Sequence, residues 1–277
     1  MRVDAQIHAS SGSCARCDLS NKRMNGMTLK NANFAGSLFN NSNLSGGQFH
    51  GSNLTGAHFK NALLYRLEGQ KVIMTEAVME DATLTEAKLS NSVMSNINLH
   101  RADLTRGDFT GNDLRAANLM NATAAEVDFS RSNFEGARLD HMNLNDAKLA
   151  ESNLRGVKFG NAIVTGAKFN EADLSGADLS QAQGLEQEQL DVACGDMKTQ
   201  LPYGLSVPYC EGTLAAEVLQ SRDVTDPEMA KAANRLDRAL RDVEIILKAT
   251  PRNNRPLRRK LERIHADISK SKAAIER

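Results

Sequence analysis

The chain has 277 residues with 34 basic and 34 acidic side chains, so its formal net charge at neutral pH is zero. This balance gives no global attraction to nucleic acid or to an anionic membrane surface. There is no apolar run near the roughly 20 residues that span a bilayer, and the first ten residues lack the apolar stretch of a secretory signal. We therefore expect no membrane span and a cytoplasmic protein. A chain trimmed after a signal peptide would look the same, which makes a periplasmic protein the alternative.

Residues 1–16 form an N-terminal lead-in and cap, and a repeat follows from residue 17 to residue 183. A large apolar side chain stands at every fifth position from Leu19 to Leu179, and only Gly69 and Ala124 interrupt the series. A period of five fits neither an amphipathic helix nor a half-buried strand. The segment is therefore a sequence repeat, and the repeat defines the architecture.

Each unit also carries a small residue two positions before the large one, with Asn or Asp between them, as in Ala172-Asp173-Leu174-Ser175-Gly176. In extended backbone, residues two apart share a face. The small and large side chains should therefore point inward and the Asn or Asp outward. A short polar side chain there can bond to the backbone of the adjoining turn.

This A-(D/N)-(L/F)-x-x pattern resembles the pentapeptide-repeat family over about three-fifths of the chain. The resemblance implies an all-β solenoid, a right-handed quadrilateral β-helix with one pentapeptide per side and about eight coils. Small and large residues would fill its bore. Since no nucleophile, base or phosphate loop stands out, we expect no enzyme activity, no cofactor and no metal.

One unit reverses the volumes: in Tyr65–Gly69 the large residue is Leu67, in the small position, and Gly69 takes the large position. The exchange would keep the core filled. We expect strand-like regularity to be lost there.

Nearby, apolar residues take the outward position that elsewhere carries Asn or Asp. This candidate partner patch consists of Leu63, Ile73, Val78 and Val93. Ile73 and Val93 are twenty residues apart and so should lie on one side in adjacent coils. Adjacent exposed apolar residues indicate a contact surface. The alternatives are that the chain's own tail covers them, or that they are scattered surface residues.

Residues 184–212 are expected to form a C-terminal cap that starts with a short helix at Gly184–Leu190. The segment resembles the closing segment of some bacterial pentapeptide-repeat proteins. A zinc site shared by all four cysteines is excluded, because Cys14 and Cys17 lie at the opposite end of the rod from Cys194 and Cys210. Buried thiols are the favoured interpretation, and a Cys194–Cys210 disulfide is expected if the protein is exported.

From residue 213 the period becomes helical. Asp226-Pro227-Glu228 is a strong helix start, and Thr250-Pro251 ends that helix. A second helix begins near Pro256, with Leu261, Ile264 and Ile268 among its apolar positions. Residues 213–277 should therefore form an antiparallel hairpin with a narrow coiled-coil seam. The hairpin would pack on the solenoid or on a second copy, making a homodimer.

The linker and second helix are basic, and their candidate contacts to an anionic surface are Arg252, Arg255, Arg258, Arg259, Lys260 and Arg263. Cations in a first helical turn oppose the helix dipole, and an anionic partner would explain them. The alternative is a solvated helix face near Glu262 and Asp267. No aromatic residues accompany the cluster, so nucleic-acid binding is not expected.

The predicted function is a structural or protein-interaction scaffold with an unidentified protein partner. The family resemblance adds an alternative, because it includes proteins that bind DNA gyrase by imitating duplex DNA. That imitation needs an acidic rod, whereas basic residues such as Arg131, Lys148 and Lys168 are interspersed here. The gyrase interpretation is therefore disfavoured.

Overall fold

The structure is a computed structural model that describes residues 13–210 and 255–275, together with 237, 238, 240, 241, 243, 244, 247 and 248. Residues 13–210 form a β-solenoid built from parallel β-bridges. Up to the bridge between Ile163 and Gln183 each bridge joins residues twenty apart, as in the series Asn33↔Asn53↔Ile73↔Val93. One turn of the coil therefore takes four pentapeptides, one on each side, as the repeat predicts. In the closing segment, residues 191–210, the spacing changes, as in the bridge between Asp173 and Cys194.

Hydrogen bonds between coils run in both directions at each side. The Phe39 N–H donates to the carbonyl of His58 in the next coil (2.7 Å), and the Leu38 N–H donates to that of Cys17 in the preceding one (2.8 Å). Each pentapeptide contains a turn, so most sides of the coil contribute only a single bridge residue and no longer strand. Two segments are longer: β1 (Glu68–Gln70) and β2 (Lys88–Ser90) form a parallel pair.

The two inward positions of each unit form one continuous core. Eight phenylalanines are among the largest fully buried side chains, and the Phe39 and Phe59 rings stack with centroids 4.7 Å apart. Burial of a large apolar side chain contributes about 1.5–3 kcal/mol. The predicted division into inward and outward positions is confirmed along the described solenoid.

The turns explain why Asn and Gly recur at the last position of the units. In one such turn the Met27 N–H donates to the carbonyl of Met24 (3.0 Å), and Gly26 between them has φ +70°. Asn21, Asn41 and Asn61 adopt the same left-handed region, which asparagine tolerates better than most residues. The predicted bond from the outward residue is confirmed: Asn53 Oδ1 accepts from the Thr55 N–H (3.0 Å).

One side differs because polar residues occupy its small inward position. Its buried polar residues are Ser52, Ser92, Asn112, Ser132 and Ser152. Several of them accept a hydrogen bond from the backbone of the preceding coil, such as Asn112 Oδ1 from the Ser92 N–H (2.8 Å). Asn112 Nδ2 also donates to the Leu89 carbonyl (2.6 Å). These side chains satisfy backbone groups that would otherwise be buried without a partner.

The expected loss of strand regularity at Gly69 is wrong, since Gly69 is the central residue of β1. Leu67 is fully buried and Val72 and Leu89 fill the space beside Gly69, where a Cβ would lie 2.8 Å from each. Leu67 in turn packs beside Gly47 in the preceding coil. Regularity here follows from backbone pairing, which glycine does not prevent.

The C-terminal end of the solenoid is covered by α1 (Gln187–Leu190) and by the closing segment, residues 191–210. Leu190 is fully buried, and Gln189 Nε2 donates to the carbonyls of Val164 (2.8 Å) and Ala167 (2.7 Å). The predicted short capping helix is thus confirmed, although it begins three residues later than Gly184. It satisfies carbonyl groups that the end of a solenoid would leave open.

Two further helical stretches follow. Residues between 237 and 248 are helical where described, and α2 spans Arg255–Ile275. The predicted helix start at Asp226-Pro227-Glu228 lies outside the described residues. Among those that are described, no helix has the length and apolarity needed to cross a membrane.

Candidate functional site

The candidate partner patch has its centre on one side of the solenoid. Ile73 and Val93 are partners in a parallel bridge, as their spacing predicts, and they expose 41% and 40% of their surface. The outward residues above and below them on this side are polar, Asn53 and Asp113. Two apolar side chains therefore form a small isolated strip on a polar side.

The other two predicted residues lie elsewhere. Leu63 is 45% exposed but is bridged to Asn43 and Thr83, on the side opposite Ile73. Val78 is half-buried on the side that follows Ile73 along the coil. The structure thus brings together Ile73 and Val93, and it separates Leu63 and Val78 from them.

Sequence reasoning missed other exposed apolar residues. Ile163 follows the Leu63 side but lies five coils further along, and both it and Tyr65 are 36% exposed. The closing segment exposes Met197 (80%) and Tyr203 (72%). Those two positions fall after the repeat, where the period of five no longer indicates which side chains point outward.

Ion pairs between successive coils neutralise acidic residues on the solenoid surface. The Arg66 guanidinium bonds Glu86 (2.7 Å) and Arg106 approaches the same carboxylate from the next coil (3.8 Å). Arg101 likewise bonds Asp81 (2.7 Å). The hydrogen bond from Arg66 lowers the pKa of Glu86, and that from Arg101 lowers the pKa of Asp81. At these positions acidic and basic side chains are therefore paired between successive coils.

All four cysteines are paired, so the favoured interpretation of buried thiols is wrong. A disulfide joins Cys14 to Cys17 in the first turn, where the Cα atoms are 5.5 Å apart. A second disulfide joins Cys194 to Cys210, with Cα atoms 4.7 Å apart. The second joins the two ends of the closing segment to each other. The Cys194–Cys210 pairing is the one expected from the sequence for an exported protein, whereas the Cys14–Cys17 disulfide was not expected.

A cleft of about 360 Å³ lies between the closing segment and the helical residues that follow. Arg238, Arg241 and Lys248 line it, opposite Thr199 and Tyr203. Arg238 Nη2 also donates to Ser206 Oγ (2.7 Å), and its Nε atom is buried without a hydrogen-bond partner among the described residues. The sequence analysis did not identify these cations, because the helical pattern of their segment does not indicate that the helix contacts the closing segment.

The predicted basic cluster is only partly described. Arg258 Nη1 donates to the Leu247 carbonyl (3.2 Å), so this cation takes part in a contact between helices. Arg259 and Arg263 are exposed. The side chains of Arg255 and Lys260, and all of Arg252, lie outside the described residues. Arg258 lies in the first turn of α2, where a cation opposes the dipole of its own helix, and the Leu247 carbonyl offers it a partner.

A family model described as pentapeptide repeats matches the chain in eight copies, over residues 13–46, 70–101, 77–115, 113–150 and 147–183. Among proteins of curated function, none matches the sequence significantly.

Several solved structures are similar. Trypsin-treated QnrB1, a plasmid-mediated fluoroquinolone resistance protein, is 15% identical with a TM-score of 0.50, over 68% of this chain and 92% of that one. HetL, involved in heterocyst differentiation regulation in the cyanobacterium Nostoc sp. strain PCC 7120, is 22% identical with a TM-score of 0.24, over 73% and 90%. Rfr23 from the cyanobacterium Cyanothece 51142 is 24% identical with a TM-score of 0.30, over 45% and 85%. At these identities the likeness concerns the fold alone.

Proposed function

The chain belongs to the pentapeptide-repeat family, and we propose that it is a non-enzymatic scaffold whose rigid β-helical rod binds a protein partner. The observation that carries this proposal is the strip formed by Ile73 and Val93, two exposed apolar neighbours on an otherwise polar side. Exposed apolar neighbours are typical of contact surfaces. The partner would present a small apolar surface with polar groups around it.

The filled core supports a function at the surface. Phenylalanine, leucine and alanine side chains occupy the bore of the described coils and are almost all less than 2% exposed. A close-packed interior of this kind leaves no space for a substrate. The outward side chains are mostly short and polar, and several carboxylates on the surface are paired with neighbouring cations. A partner would therefore bind to the rigid outer surface of the rod and not inside it.

We infer four segments: an N-terminal lead-in and cap at 1–16, the β-helix at 17–183, a C-terminal cap segment at 184–212 and a helical hairpin at 213–277. A count of about eight coils is supported by bridges that run in steps of twenty from Asp18 to Asp178. The hairpin is supported by contacts between the two helical stretches. Lys272 pairs with Asp237, and His265 with Glu244 (3.3 Å).

We further propose that the hairpin docks on another molecule or forms a homodimer. Val243 and Leu261 are buried, at 8% and 7% exposure, whereas Ile264 on the same predicted seam is 38% exposed. The seam is thus covered only in part by the described residues of the chain. A second copy or the protein partner would cover the rest.

The compartment is also a proposal. The cytoplasm and an oxidising compartment such as the periplasm are the two candidates, and the two disulfides favour the second. Rapid trapping of free thiols in cells distinguishes the two. Four unreactive cysteines support export, and four alkylated cysteines support the cytoplasm.

The scaffold proposal is tested by affinity capture of the full chain followed by mass spectrometry. The double variant Ile73→Asp/Val93→Asp should lose the partner because it places two charges in the apolar strip. The matched control is Leu63→Asp, which puts a charge on an equally exposed apolar residue of the opposite side. Equal partner recovery with all three proteins would contradict the proposal.

The alternative is modulation of a DNA-handling enzyme such as gyrase by imitation of DNA. The ion pairs between coils argue against it, because a DNA mimic needs unneutralised negative charge along the rod. Glu86 contacts two cations and Asp81 and Asp128 one each. Supercoiling by gyrase that is unaffected by the protein is the expected result.

A further inference from the structure

Three side chains that can bind a metal converge where the closing segment joins the last coil. One oxygen of Asp173 and the sulfurs of Cys194 and Cys210 all lie within 4.8 Å of one another. Asp173 and Cys194 are brought together as partners in the parallel ladder. Cys210 arrives from the other end of the closing segment, next to the bridge between Gly195 and Tyr209. The backbone of the cap therefore fixes all three.

The carboxylate of this cluster is held in place by its neighbours. The Ser175 N–H donates to Asp173 Oδ1 (2.9 Å), and Arg155 Nη1 donates to Oδ2 (3.0 Å). Asp173 Oδ1 lies 3.3 Å from Cys210 Sγ, and Ser175 Oγ lies 3.5 Å from the same sulfur. Cys210 and Ser175 are 7% and 4% exposed. Asp173 and Cys194 are half-buried, so the cluster is partly shielded from solvent, and hydrogen bonds orient its oxygen ligand.

We propose that reduction of the Cys194–Cys210 disulfide converts this cluster into a Zn²⁺ site. Cysteine thiolates and aspartate carboxylates both bind zinc, and a water would complete the tetrahedron. Thiolates favour zinc over hard cations such as Mg²⁺. Two thiolates and one carboxylate carry three negative charges, which Zn²⁺ and the Arg155 guanidinium balance.

The conversion balances in electrons and protons. A dithiol reductant gives two electrons and two protons, its own sulfurs form a disulfide, and the bond between Cys194 and Cys210 breaks to leave two thiols. Zn²⁺ then displaces the two thiol protons to solvent. The two ends of the closing segment would be cross-linked in both states, by the disulfide under oxidising conditions and by the metal under reducing ones. The metal would in addition tie them to Asp173 of the last coil.

The chain contains its own control in the Cys14–Cys17 pair at the other end of the rod. Within the described residues, Asp173, Cys194 and Cys210 are the one group of three or more potential ligands, so the N-terminal pair has no third ligand there. Two thiols alone should bind zinc much more weakly. The proposal therefore predicts one tight site, located at the C-terminal cap.

The test is zinc titration of the full-length protein, reduced with dithiothreitol and freed of reductant under nitrogen, against a chromophoric chelator. One equivalent of zinc should bind tightly to the parent and to Cys14→Ser/Cys17→Ser, and none to the oxidised protein. Cys194→Ser should abolish tight binding, and Asp173→Asn should weaken it at least about tenfold. With Co²⁺ in place of zinc, the visible spectrum should show tetrahedral coordination and thiolate charge transfer.

Two controls keep the outcome decisive. The oxidised Asp173→Asn protein should melt close to the parent, which shows that its weaker binding is not a loss of fold. The proposal is overturned if the reduced parent retains no zinc, if Asp173→Asn leaves affinity unchanged, or if tight binding disappears in Cys14→Ser/Cys17→Ser instead.

Discussion

Ile73 and Val93 are direct partners in the parallel ladder, and both point outward from adjacent coils of the solenoid. Their neighbours on this side, Asn53 and Asp113, follow the usual pattern of short polar residues that bond to the adjoining turn. Isoleucine and valine can make no such bond. Two successive coils therefore lack this turn hydrogen bond and expose an apolar strip instead.

Among the buried polar residues on one side of the solenoid, Asn112 should contribute to the stability of the fold. Substitution Asn112→Ala removes the acceptor of the Ser92 N–H and the donor to the Leu89 carbonyl, and leaves both without a partner. The expected loss is about 1–3 kcal/mol of unfolding free energy, measured by urea denaturation. Asn112→Ser should lose less, because serine takes this position in other coils, as at Ser132. Equal losses for the two variants would contradict a hydrogen-bonding role.

Leu67 and Gly69 have exchanged the small and large positions of their unit, so we expect any side chain added at Gly69 to overpack the core. A Cβ at this position would lie 2.8 Å from side-chain atoms of Val72 and Leu89. Gly69→Ala should therefore cost about 1–3 kcal/mol in a denaturant titration. The control Gly46→Asn should be close to neutral, since Gly46 has open space around it and asparagine adopts positive φ at many equivalent turns. A neutral Gly69→Ala would show that the core there is loosely packed.

Asp196 should make the cap sensitive to acid. Burial raises the pKa of Asp196, but the N–H groups of Gly176 (2.8 Å), Lys198 (2.9 Å) and Thr199 (3.0 Å) outweigh it, and the pKa falls below its ordinary value of 3.8. A carboxyl whose pKa is lower in the folded state stabilises that state above its unfolded pKa and loses the effect as pH falls through the folded value.

The variant Asp196→Asn isolates this contribution. Its melting temperature should be below the parent's at neutral pH, and the difference should shrink as the pH is lowered to about 3. Thermal unfolding followed by circular dichroism across this range provides the measurement. A difference that stays constant with pH would mean that the charge of Asp196 does not stabilise the cap.

Self-association through α2 should depend on Ile264. Replacing this exposed apolar residue by aspartate, Ile264→Asp, should convert a dimer to a monomer while the helix content stays the same. The exposed Lys270, on another face of α2, provides the control variant Lys270→Asp. Sedimentation of the full chain over a range of concentrations tests the expectation. A parent that sediments as a monomer throughout would rule out this dimer.

The solenoid and its side assignments are predictable from sequence because each pentapeptide obeys the same local rule. The spacing of Ile73 and Val93 alone predicts that they are neighbours, and the bridge confirms it. The rule does not extend to contacts between distant segments. Cys194 and Cys210 meet through the path of the closing segment, and Arg238 reaches Ser206 from a helix of a different period. Gly69 was wrongly expected to interrupt strand structure because backbone pairing, rather than side-chain propensity, determines it.

Site-specific photo-cross-linking in cells tests the central claim, that one side of the rod binds the partner, most directly. A benzophenone amino acid replaces Val93 in one variant and Leu63 in the other, two outward apolar residues of similar exposure on opposite sides. The account predicts a covalent adduct of defined mass from position 93 and none from position 63. Adducts of equal yield from both positions, or an adduct from position 63 alone, would contradict it.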